Sequence, residues 1–248
     1  MPTIAELRAA TQPASIFERN SGEHWAGRLY MRRLSPYCTR LLLRLGLSAN
    51  AVTWLMIVAG LAAAAALTLP GVVAALGAVL LIQLQLLLDC CDGEVARWRD
   101  QKSPVGVYLD RIGHWVTEGL LPIALGVRAD HVELGLIAAV VVLFIKGESA
   151  LVTVARAEAG LPPAGDTRAV AAPRASGLRR LRRAAGFAPF FRAFVAVEAT
   201  LLALVAAIVD AATDSLDGTR FLVVALVVIC AITTAGHLLA IVTSERLR

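Results

Sequence analysis

Residues 71–100 read GVVAALGAVLLIQLQLLLDCCDGEVARWRD, an apolar run that ends abruptly in a cluster of carboxylates and arginines. A helix of about 20 apolar residues crosses a bilayer, so 71–89 has the length of a span. Working outward, stretches of the same character lie at 50–69, 105–126, 134–156, 187–209 and 220–242. They predict an all-α polytopic membrane protein with six transmembrane helices. Composition agrees: 58% of the 248 residues are hydrophobic and 17% charged, against about 45–50% and about 25% in soluble globular chains. The apolar mass is Ala, Val and Leu without strict alternation, which excludes a transmembrane β-barrel.

Basic residues sort by loop. Seven arginines precede the first span; Arg97, Arg99 and Lys102 follow the second. Arg168, Arg174, Arg179, Arg180, Arg182 and Arg183 follow the fourth, and Arg246 and Arg248 end the chain. The alternate connections, 69–71, 127–133 and 210–219, hold acids and a single arginine, Arg128. The positive-inside rule therefore puts both termini in the cytoplasm. The net charge of +5 is spread over these loops and forms no nucleic-acid patch. No signal-peptide pattern precedes the first span, so the N-terminus is expected to be retained. Cys38, Cys90, Cys91 and Cys230 lack C-x-x-C spacing and are expected to be reduced. Heavy Ala, Arg and Val usage with two lysines, Lys102 and Lys146, suits a GC-rich bacterial genome.

Ser35-Pro36 predicts a helix start with serine as N-cap, and Gly46 an end. Tyr37, Leu41, Leu42 and Leu45 then share a face of a short interfacial helix over 35–46. Beyond it, ionisable residues inside spans are costly and mark function. Asp89 and Asp92 are three apart and Asp110 and His114 four apart, so each pair shares a helix face. At about 1.5 Å per residue, Asp110 and His114 lie about 9 Å and about 15 Å from the cytoplasmic end of their span, so the pocket opens to the cytoplasm. Three carboxylates so close would repel, and Mg²⁺ or Mn²⁺ is their natural partner. The bland alternative pairs these acids with Arg97 and Arg111.

The run from Asp89 to Asp110 resembles the signature of the CDP-alcohol phosphotransferases, D-x-x-D-G-x-x-A-R-x8-G-x3-D-x3-D, at every fixed position. Leu34-Ser35-Pro36-Tyr37 and Ser48-Ala49-Asn50-Ala51-Val52-Thr53 are similar to that family's interfacial helix and its entry into span one, with Ala49 where proline is usual. The resemblance divides the chain into a cytoplasmic segment, 1–33, and a phosphotransferase membrane domain, 34–248. It implies a homodimeric enzyme of phospholipid-type biosynthesis in a bacterial inner membrane. Its donor would be a CDP-alcohol such as CDP-diacylglycerol, its acceptor a hydroxyl, and CMP would leave. Asp89, Asp92 and Asp110 would be metal ligands. Asn50, Thr53, Asp89, Gly93, Arg97 and Ser103 would hold the CDP moiety. The last motif position departs from the family: His114 stands where it has aspartate, a metal ligand and the general base. Imidazole can still take a hydroxyl proton, but the site loses a charge, which predicts weaker second-metal binding or a preference for Mn²⁺. Glu118, one turn further, is a candidate replacement carboxylate.

Relatives acting on phosphorylated acceptors carry K-A-R-A-E at the end of span four; this chain reads Val154-Ala155-Arg156-Ala157-Glu158. Arg156 is the candidate acceptor-phosphate residue, helped by Arg179–Arg183 or Arg192. Lys146 and Glu148 lie deeper and need partners, with His114, Glu118 and Glu198 the candidates; Lys146 and Glu118 could also belong to an acceptor pocket. Glu198 and His237 are expected to bond between helices. Residues 160–177 predict a cytoplasmic loop. Three alternatives stay open: an inactive homologue, a CDP-lipid-binding scaffold and a divalent-cation transporter. Against the last, the acids sit toward one face beside Arg97, which would oppose a cation path.

Overall fold

The computed structural model describes residues 2–13, 24–162, 192–244 and 247. Their regular structure is all helical: α1 (Ile4–Thr11), a π turn (Gly27–Met31) running into α2 (Arg32–Arg44), then α3 (Ala49–Thr68), α4 (Val72–Trp98), α5 (Pro104–Arg128), α6 (Val132–Glu158), α7 (Ala196–Thr213) and α8 (Asp217–Thr243). Five of these, α3, α4, α6, α7 and α8, are long and apolar enough to cross a membrane, where six were expected. The exception is α5, whose 25 residues would suffice but which carries Asp110, Arg111, His114 and Glu118. The helix expected to begin at 187 begins at Ala196. The arginine run 179–183, most of the loop at 160–177, and Arg246 and Arg248 lie outside the described residues. All four cysteines are free.

The helices form two compact units, Met1–Ala66 with Gly77–Thr117, and Leu67–Leu76 with Glu118–Arg248. In the first, α2 corrects the sequence reading: it begins at Arg32, so Pro36 lies inside it and Ser35 is not its N-cap. A proline there leaves the carbonyl four residues back without its donor. That carbonyl belongs to Arg32, and the Gln12 amide donates to it at 2.9 Å. Leu42 is buried rather than sharing the exposed stripe of Leu34, Tyr37, Leu41 and Leu45. It packs with Val52, Met56 and Ile57 of α3 and Leu88, Cys91 and Val95 of α4. The serine-proline start operates instead at Ser103-Pro104, where the Ser103 hydroxyl accepts from the Gly106 N–H at 3.0 Å and opens α5.

Two glycines let α3 and α5 approach closely. A Cβ on Gly113 would stand 2.6 Å from Met56 and Ile57 atoms, and one on Gly60 would stand 2.1 Å from Thr117 Oγ1. The space beside Gly60 holds a buried hydrogen bond, donated by the Gln85 amide to Thr117 at 2.8 Å.

In the second unit α8 packs on α6 and α7. The face α7 buries is rich in alanine (Ala196, Ala199, Ala203, Ala206, Ala207), small enough for close helix approach in lipid. Asp210 near its end accepts from the N–H groups of Gly218 and Thr219 and from the Thr219 hydroxyl, which locks the turn into α8. Arg128 donates to the carbonyls of Leu69 and Gly71 at 2.6 and 2.9 Å.

Candidate metal and nucleotide site

α4 and α5 bring three of the expected ligands together. Asp89, Asp110 and His114 each offer an atom, and the three atoms lie within 4.8 Å of one another, so the group could hold a metal ion. His114 Nε2 sits 3.1 Å from Asp89 Oδ1 and 3.4 Å from Asp110 Oδ1. Asp110 Oδ1 is shielded from water and accepts no hydrogen bond. Donor chemistry and this bare oxygen both fit a divalent cation.

Asp92, the third expected carboxylate, is not among these three; it is buried, and its Oδ2 accepts a 2.8 Å hydrogen bond from Thr53 of α3. The helical spacing places Asp89 and Asp92 on adjoining parts of one face, and Thr53 draws the second toward α3. Thr53 is thus a partner of the signature.

The other expected CDP contacts fall beside glycines. A Cβ on Gly106 would approach Asn50 Oδ1 to 3.2 Å and Ser103 Oγ to 3.4 Å, so Asn50, Ser103 and Gly106 share one place. A Cβ on Gly93 would stand 3.1 Å from Arg97 Nη1: the guanidinium lies along the bare backbone one turn back. Arg97 Nε donates to the Thr11 carbonyl at the end of α1 at 2.6 Å. It pairs with that carbonyl rather than with a helix-end carboxylate, which removes the bland alternative for Arg97.

The sequence reading passed over Glu94, a variable position in the signature. It is fully buried and accepts from the Gln12 amide (2.8 Å), the Ser35 hydroxyl (2.5 Å) and the Thr39 hydroxyl (2.7 Å), with Arg32 Nη1 at 3.9 Å. It ties α1 and α2 to α4. The signal for α1 was present: Thr3-Ile4-Ala5-Glu6 is a capping box, formed by hydrogen bonds of 3.2 and 2.7 Å. These bonds hold the Glu6 carboxyl below its ordinary range, the Thr3 backbone N–H contributing most.

The deep polar residues of the second unit pair with one another, although the Glu148 Oε1 atom is buried without a hydrogen bond. Lys146 pairs with Glu118 at 2.8 Å and Glu148 with His237 at 2.8 Å, so Glu118 is committed to a lysine and does not replace the missing carboxylate. Glu198 pairs with Arg192, just ahead of its own helix. Arg156 is buried, and its Nε donates to the Pro162 carbonyl at 2.7 Å.

Residues 46–163 match the family model described as CDP-alcohol phosphatidyltransferase. The chain is similar to archaetidylinositol phosphate synthase of Aeropyrum pernix, 33% identical over 102 residues, which cover 41% of this chain and 51% of that protein. The match thus spans about half the length of that curated relative.

Proposed function

We propose that this chain moves a phosphatidyl-type group from a CDP-alcohol, such as CDP-diacylglycerol, to an acceptor hydroxyl in phospholipid synthesis. The observation that carries the reading is the convergence of Asp89, Asp110 and His114 donor atoms within 4.8 Å, inside the family-matched segment. Asp89, Asp110 and His114 would hold Mg²⁺ or Mn²⁺, with Asp92 a further carboxylate beside them; the imidazole nitrogen favours Mn²⁺. A bound ion supplies charge neutralisation at the pyrophosphate and the departing nucleotide.

The chain's own residues do the rest. Arg97 adds a fixed cation, and the bare backbone at Gly93 and Gly106, with Asn50 and Ser103, admits the nucleotide. His114 Nε2 faces two carboxylate oxygens and acts as an N–H donor or a ligand there. With Nε2 donating its N–H to the carboxylates, the lone pair that takes the acceptor's proton is on Nδ1; a metal ion on Nε2 would put the proton on Nδ1, so ligand and base are exclusive roles for this ring. The acceptor oxygen forms its bond to the β-phosphorus and the bond from that phosphorus to the CMP oxygen breaks. The electron pair leaves on CMP, and the hydroxyl proton goes to His114.

The named relative makes an inositol phosphate the first acceptor to test, and Arg156 is the candidate for its phosphate. Lys146 and Glu118 satisfy each other, which leaves them out of that role. The working unit is a homodimer at the cytoplasmic face of a bacterial inner membrane. The rival is a CDP-lipid-binding scaffold; it is favoured by His114, which sets a protonatable ring between carboxylates where the family has aspartate.

The test is CMP release by the full-length protein with CDP-diacylglycerol, inositol phosphate, inositol or glycerol phosphate, with Mg²⁺ or Mn²⁺ and after chelation. Acceptor-dependent release that needs the metal supports transfer. Metal-dependent CDP-lipid binding with no release on any acceptor overturns it in favour of the scaffold. Cation flux in proteoliposomes without release favours a transporter.

A further inference from the structure

The helix α1 lies before the family-matched residues 46–163, yet its last residue touches the signature. The Thr11 carbonyl accepts from Arg97 Nε at 2.6 Å, across 86 positions of sequence. We infer that α1 is a positioning element for the nucleotide: Thr11 holds the Arg97 guanidinium beside Gly93, so that Nη1 and Nη2 are set for the pyrophosphate of a CDP-alcohol. This rests on the proposed CDP site and adds to it a contact from outside the family-matched segment.

The accepting carbonyl is one that a helix leaves open. The last carbonyls of α1 have no donor within the helix, and that end carries the negative pole of its dipole, so a guanidinium there is favoured twice. The end is itself fixed. Thr11 and Leu7 are both fully buried, and the Thr11 hydroxyl donates back to the Leu7 carbonyl at 2.7 Å. Beside it the Gln12 amide reaches the Arg32 carbonyl and Glu94, and Arg8 donates to the Arg33 carbonyl at 3.2 Å. These bonds dock α1 on α2 and α4, which makes the Thr11 carbonyl a fixed point.

On its other side the guanidinium meets bare backbone. A Cβ on Gly93 would stand 3.1 Å from Arg97 Nη1 and 3.2 Å from Nη2, so the missing side chain is what lets the fork lie there. The Thr11 carbonyl takes the Nε proton; among the described residues, Nη1 and Nη2 donate to nothing. Those are the two groups that match phosphate oxygens as a pair. An arginine with a free stem loses rotamer freedom when it grips a phosphate, whereas one already held at Nε has lost it beforehand and binds more tightly for that reason.

The experiment titrates the full-length protein, in neutral detergent with Mn²⁺, with CDP, and follows CMP release from CDP-diacylglycerol in parallel. Thr11→Gly removes the hydroxyl bond and loosens the backbone that carries the carbonyl. It is expected to weaken CDP about fivefold and to raise KM for the donor with kcat unchanged, a part of what a phosphate-bound arginine contributes. Thr11→Ser keeps the hydroxyl and should restore wild-type affinity. Arg97→Gln should weaken CDP about thirtyfold, and Thr11→Gly added to it should cost nothing more, because both act through one group. If Thr11→Gly does not fold, Leu7→Val is read in the same cycle, with a loss of about twofold expected from a loosened anchor. A purely architectural α1 would lower the melting temperature and the fraction of protein that binds, with the affinity of the folded fraction unchanged. That result, or a Thr11 effect that persists in full without Arg97, overturns the inference and leaves the transfer reading in place. Affinities that follow the cycle without CMP release support the inference and overturn transfer. No CDP binding by the wild type overturns both.

Discussion

Two carboxylate centres lie within two turns of each other on α4, and they are finished differently. Glu94 has no exposed surface and receives three neutral donors from α1 and α2. Asp89 and its partner Asp110 keep side-chain exposures of 29% and 41% and share one imidazole, itself 32% exposed. A buried carboxylate whose oxygens are fully met has no capacity left for a ligand, and removing it strands its donors. A carboxylate pair left half open with a bare oxygen keeps the capacity to take a ligand. The same functional group thus serves architecture at one turn and stays open to a ligand at the next.

The largest effect expected from this contrast is on activity. Asp89→Asn and Asp110→Asn should each lower CMP release about 10³-fold, comparable to removing a group that stabilises developing charge. The melting temperature should stay close to the wild type. Glu94→Ala should do the reverse, costing about 3 kcal/mol of stability by stranding Gln12, Ser35 and Thr39, read as a lowered midpoint in thermal unfolding. A stable but inactive Glu94→Ala variant would break the contrast.

His114→Ala should lower turnover about 10²-fold, the usual worth of a general base, and His114→Asp should recover part of it while shifting the metal preference from Mn²⁺ toward Mg²⁺. Equal rates for all three would remove His114 from the proton transfer. Gly60→Ala should cost about 2 kcal/mol through overpacking against Gln85 and Thr117, with activity per folded molecule retained. Smallest is the α1 capping box. The Glu6 carboxyl is lowered in the folded chain, so its contribution is present at neutral pH and is lost as pH falls through that lowered range. Amide exchange at Glu6 and Leu7 should quicken there, and Glu6→Gln should remove the pH dependence.

What the sequence made legible follows from which contacts are local. Apolar length revealed five helices that can cross a membrane, and i, i+4 spacing revealed the Asp110–His114 pair. The two serine-proline pairs show where local reading fails. Ser103-Pro104 begins a helix because turn residues precede it. Ser35-Pro36 does not, because Gln12, far away in sequence, fills the carbonyl the proline leaves bare. Asp92 parted from Asp89 for the same reason: Thr53, on another helix, claims it. Glu94 was invisible because its donors, Gln12 at the end of α1 and Ser35 and Thr39 of α2, are all far from it in sequence. The Thr3–Glu6 box, by contrast, was local and could have been read.

The Gln12 amide has a consequence for how this sequence can drift. It fills a gap that exists only because position 36 is proline, and it is one of three donors to the buried Glu94 carboxylate. An exchange at either site alone leaves a mismatch, whereas a joint change toward an ordinary helix-forming residue at 36 and a shorter side chain at 12 removes the need for both. Lineages of this protein should therefore either keep glutamine and proline together or lose them together, and an alignment deep enough to count the four combinations will show the mixed ones depleted.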